Sequence, residues 1–123
     1  MFKLSDVTDV YPWTVTIKMP YNGSYKKTSV KVDFYRLPHD ERVRLMEDIN
    51  TSKASDDTEN VENDFFDKIF AGWHVGQIKG EDGEDLEFNE DSKRQLLSIS
   101  EFRQALIDGY FDSVAGNKLH QKN

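Results

Sequence analysis

At 123 residues the chain is long enough for one compact domain with a core of its own, and its 12% aromatic content excludes a wholly disordered polypeptide even though 32% of residues are charged. The absence of cysteine excludes disulfides, thiolate nucleophiles and cysteine-based zinc sites, and no run approaches the roughly 18 apolar residues of a membrane span. The net charge of −7 sits in residues 51–123, where sixteen Asp/Glu face eight Lys/Arg; that half repels phosphate backbones and argues against a nucleic-acid partner.

The first residues, MFKLSDVTDV, place acids where a signal peptide needs an apolar run, so a cytoplasmic protein is expected. YPWTVTIKMP then alternates, with Tyr11, Trp13, Val15, Ile17 and Met19 on one face. Asn22-Gly23 supplies hairpin-turn chemistry, and the alternation resumes with Thr28, Val30, Val32 and Phe34. Residues 1–36 are therefore read as an antiparallel β-hairpin whose apolar face needs helices to cover it, since two strands alone are marginal in water.

Pro38, Asp40 and Glu41 suit a helix start, and a short helix is expected over 37–49 with Val43, Met46 and Ile49 on its apolar side. A polar linker follows at 50–57. Val61, Phe65 and Ile69, spaced by four, mark the next helix, with Phe66 and Phe70 beside them and Gly72 placed to end it. Asn89 can cap a third helix containing Leu96 and Leu97, and Ser98-Ile99-Ser100-Glu101 has capping-box spacing for a fourth. Phe102, Leu106, Tyr110 and Val114 give that last helix a continuous stripe, Gly116 closes it, and 117–123 form a flexible tail. The fold class is α+β, an N-terminal antiparallel hairpin packed against about four short helices, in a single domain over 1–123 with its helical part at 58–116.

The stretch between the second and third helices, GWHVGQIKGEDGEDLEFNED, invites a chemical reading because seven carboxylates follow one histidine. As a calcium loop it fails. With Gly83 at the sixth position of an EF-hand, Ile78, Gly80 and Asn89 occupy places that need ligands. As an acid–base pair it lacks the burial that separates two carboxyl pKa values. Asp82-Gly83 is good turn chemistry, so an acidic loop at 79–85 is expected, anchored by Trp73 and Phe88. His39, His74 and His120 share no ligand spacing, and the sequence holds no nucleophile elbow and no phosphate-binding glycine loop. No cofactor, no metal and no catalysis are expected.

Adjacent aromatics point to a different role. Phe65-Phe66 and Tyr110-Phe111 sit about 100° apart on their helices, so burying all four requires helices enclosed on two sides, or a partner chain on one of them. Phe66, Trp73, Tyr110 and Phe111 are accordingly the expected partner-binding residues.

The order of features from Gly72-Trp73 through Asp82-Gly83, Leu86-Glu87-Phe88, Leu96-Leu97 and Ala105-Leu106-Ile107-Asp108-Gly109-Tyr110-Phe111 to Lys122-Asn123 resembles the tail assembly chaperones of lambda-like long-tailed bacteriophages. The break at Leu97-Ser98-Ile99-Ser100 lacks the proline often found there, and the polar linker is long for that family. The resemblance implies a non-enzymatic protein, acting as a homo-oligomer in the cytoplasm of the infected host and absent from the mature virion. It would bind the tape measure protein, a long and largely helical polypeptide, and keep it soluble until tail tube subunits polymerise around it. It also implies a longer, frameshifted form that recruits the tube protein, this chain being the short form. The competing expectation is a virion subunit, such as a head–tail connector or tail-completion protein. An acidic mimic of DNA would instead need carboxylates in rows on one rigid face.

Overall fold

The computed structural model of the chain describes residues 2–52 and 58–115. Alternation and turn chemistry build the first unit: β1 (Val10–Tyr21) and β2 (Ser24–Tyr35) pair antiparallel along their whole length, from Val10 opposite Tyr35 to Tyr21 opposite Ser24. Asn22 and Gly23 make the connection with φ of 48° and 76°, the left-handed geometry that a tight two-residue hairpin demands. A short 3₁₀ turn, Leu4–Asp6, precedes β1.

The sheet has a third strand, whose first residues are expected from the sequence in a helix ending at Gly72. α2 (Thr58–Ile69) stops three residues before Gly72, and Phe70–Trp73 becomes β3, antiparallel to β2, in the order β1-β2-β3. Val32 faces Trp73 and Phe34 faces Phe70, with a bulge at Asp33/Phe34. Pairing on both sides turns β2 into the central strand, and Val30, Val32 and Phe34 are buried there. β1 and β3 are the edge strands, and β1 holds Pro12 and Pro20, residues that a central strand cannot accommodate.

Among the described residues four helices complete the α+β arrangement, as expected. α1 (His39–Ser52) starts from the Pro38 carbonyl and runs past 49 into the expected linker. Its buried side is Leu45 and Ile49; of the expected apolar residues Ile49 is buried, Met46 is half-buried and Val43 faces solvent, which corrects that part of the expectation. Docking against α2 sets that face, and a helix with so few apolar residues gives the periodicity little to fix. α3 (Glu90–Leu97) is capped as expected, by Asn89 Oδ1 accepting from Ser92 N, with Ser92 Oγ accepting in return from Asn89 N. α4 (Ser100–Ala115) follows almost at once. The Ser98–Glu101 capping box does not form: Ser98 is the C-cap of α3, its hydroxyl donates to Gln95 O, and Ile99 O takes the first bonds of α4.

α4 lies across β1 and supplies Phe102, Ala105, Leu106, Ile107 and Tyr110 to the core. Gly109 is its closest approach to the sheet. A Cβ there would overlap Val15 Cγ1 and stand 3.3 Å from Val15 Cβ, so the absent side chain lets helix and strand backbones meet. Linker residues 53–57, the closing Gly116 and the tail at 117–123 lie outside the described residues.

Candidate functional site

The four aromatics expected to meet a partner have different places. Phe66 is 0% exposed, Tyr110 1% and Trp73 7%, while Phe111 is half-buried. The adjacent pair on α2 is enclosed from both directions. Phe65 meets the rings of Tyr110 and Phe111 edge-on, at 5.5 and 6.2 Å. Phe66 lies under the Arg103 guanidinium, 5.0 Å from its ring centroid. That guanidinium is fixed by Glu62, Asn63 and the Leu97 carbonyl, so a charged lid covers the second face of α2. Of the two ways to bury adjacent aromatics, the molecule uses enclosure for Phe65, Phe66 and Tyr110, while Phe111 stays half-buried at the edge of the core.

The acidic stretch is a connector, as read. Gly80 N donates to Glu84 O beside the Lys79–Asp85 bridge, Asp82 Oδ1 accepts from Glu84 N, and Leu86 N donates to Ile78 O. Its ends are anchored by the expected pair: Trp73 Nε1 donates to Leu86 O at 2.6 Å, and the Phe88 ring stands edge-on to Trp73 at 5.0 Å. Gly72, with φ 137°, admits that ring, since a Cβ there would come within 3.1 Å of it. His74 reaches Asp33 Oδ1 at 3.0 Å on the surface. Among the described residues no three His, Asp or Glu side chains converge as a metal site.

Uncovered apolar surface lies instead on the hairpin. β1 spans about 40 Å at a strand's rise per residue, whereas α4 is only about 24 Å long. The face that α4 covers at Val15 therefore continues bare: Ile17 is half-buried, Met19 is 39% exposed and Tyr21 61%. Opposite them on the same face stand Thr28, Lys26 and Ser24. Pairing of β2 with β3 reaches only Val32, and the next backbone N–H, that of Lys31, donates to the Gln77 side chain. Beyond that point the hairpin is a two-stranded ribbon. Residues 16–31 hold four lysines and no acid, and Lys18, Lys26 and Lys27 make no ion pair with a described residue. The alternation did place Met19 on this face; the mismatch in element lengths was the signal that it would stay uncovered.

At the other end of the hairpin, a cleft of about 440 Å³ opens between β1, the start of α1 and the end of α4, lined among others by Tyr11, Trp13, Arg36, Arg42, Tyr110 and Ser113. Tyr11 Oη and Ser113 Oγ share a hydrogen bond of 2.8 Å, and the Arg36 guanidinium lies 5.7 Å above the Tyr11 ring. Burial pushes the Tyr110 phenol up to about 12 and raises that of Tyr11, so both hydroxyls keep their protons. Among the described residues no helix is long and apolar enough to cross a membrane. No protein-family model, no curated protein and no solved structure matches this chain.

Proposed function

We propose that the chain is a phage tail assembly chaperone, a non-enzymatic protein that holds helical segments of the tape measure protein in solution during tail morphogenesis. The ordered motif set from Gly72-Trp73 to Tyr110-Phe111 suggests the family. The observation that carries the reading is the uncovered strip Ile17–Met19–Tyr21, which continues the face on which α4 already lies. A helix seated on that face at Val15 and Gly109 is the pattern for a client helix seated further along it. Client binding is thus placed on the hairpin rather than on Phe66, Trp73, Tyr110 and Phe111. Seating on the face suits this edge better than strand addition, because Pro12 and Pro20 interrupt the donors of β1 and lysines flank the tip.

Co-expression with the neighbouring tape measure gene tests the proposal. The wild-type chain is expected to bring the tape measure protein into the soluble fraction, and the double substitution Met19→Glu, Tyr21→Glu to leave it insoluble while the chaperone itself stays folded. No effect of the wild-type chain on client solubility would sink the reading. Finding the chain in purified virions would favour a structural tail or connector subunit instead.

A further inference from the structure

We propose that the cleft between β1, α1 and α4 is a binding site for a carboxylate carried on an apolar body, a role separate from client binding on the hairpin. Two guanidinium groups line it in a chain where acids outnumber bases by seven, yet neither forms an ion pair with a described residue. Among the described residues Arg36 hydrogen-bonds through its Nε alone, donating to Thr8 O at 3.0 Å, while its guanidinium plane lies over the Tyr11 ring. Arg42 places Nη2 3.1 Å from His39 Nδ1. The remaining guanidinium donors have the planar fork that a carboxylate accepts.

Tyr110 is the second, independent observation. The residue is 1% exposed, no described residue hydrogen-bonds its hydroxyl, and no buried side-chain polar atom among the described residues lacks a partner. The hydroxyl is therefore the part of Tyr110 that opens to the cleft it lines. Its proton is retained across ordinary pH, so the hydroxyl can donate to an acceptor in the cleft, and no described residue takes that bond. Trp13, Leu37 and Val114 form apolar walls. The volume exceeds the roughly 300 Å³ at which small-molecule sites begin. Donors on one side and an aromatic wall on another select an anion with a flat or aliphatic body over a fully hydrated one.

Benzoate is a suitable probe, followed through the two indole N–H signals in a ¹H–¹⁵N spectrum of the whole chain. Benzoate is expected to shift the Trp13 signal saturably and to leave that of Trp73, held on Leu86 O, in place. Benzamide, the uncharged isostere, is expected to shift neither, and inorganic phosphate to compete poorly. Arg36→Gln and Arg42→Gln are each expected to weaken benzoate at least tenfold, with the unmoved Trp73 signal reporting that the variants stay folded. Absence of a saturable Trp13 shift, equal shifts from benzamide, or unchanged affinity in both arginine variants would each overturn the proposal. N-acetylphenylalanine separates the sources of such a group: tighter binding than benzoate assigns the site to a polypeptide's C-terminus, and weaker binding to a free small acid.

Discussion

The two ends of the β1–β2 hairpin are built from the same alternating pattern and have opposite fates. At the base, Val15, Val30, Val32 and Phe34 are enclosed by α4, β3 and α2. At the tip, Met19, Tyr21 and Tyr25 are bare, and lysines take the place of acids. Alternation fixes which face a residue occupies, but only the length and position of a covering element decide whether that face becomes core. In this protein the cover ends near Ile17, and the uncovered remainder is where the proposed client helix would sit.

Substitutions that probe the two ends should therefore differ sharply. Phe34→Ala at the base removes a fully buried ring that meets Tyr11 and Tyr110 edge-on and is expected to cost about 3–5 kcal/mol in urea unfolding. Gly109→Ala drives a methyl into Val15 at the seat of α4. A loss of about 1–3 kcal/mol is expected there, as for overpacking generally. No loss would mean that the helix–strand contact is looser than the geometry indicates.

The base should also respond to alkaline pH. Below pH 10 the folded and unfolded chains both keep the Tyr110 proton, so this group leaves stability unchanged. Between pH 10 and about 12 the unfolded chain releases a proton that the folded chain retains, and stability falls as pH rises. Tyr110→Phe should make that decline shallower in unfolding curves recorded at pH 8 and pH 11. The smallest effect belongs to the tip. Met19→Ala and Tyr25→Ala should stay within about 0.5 kcal/mol of the wild type, and a larger loss would show that the ribbon is already packed against something.

Local chemistry made some of this legible. Period-two alternation and Asn22-Gly23 delivered the hairpin, and the Trp73–Phe88 clasp around the acidic loop followed from the spacing of apolar residues about Asp82-Gly83. What stayed hidden depends on distant partners. Phe70-Ala71-Gly72-Trp73 is a short apolar run that a helix or a strand can use equally, and β2 decides for the strand from more than thirty-five residues away. Phe66 looked like surplus because nothing adjacent to it announces the Arg103 lid supplied by α4. The cleft joins Tyr11 to Ser113, a separation of 102 residues, and no local pattern encodes that meeting.

Photo-cross-linking from the hairpin tip, in the co-expressed complex, tests client binding most directly. With p-benzoylphenylalanine in place of Met19 or Tyr21, on the face that α4 shares, covalent capture of the tape measure protein is expected. From Lys18 or Tyr25, on the opposite face, little or none is expected. Capture from Lys18 and Tyr25 alone, or from none of the four positions while the client remains soluble, would contradict a client helix lying beside α4.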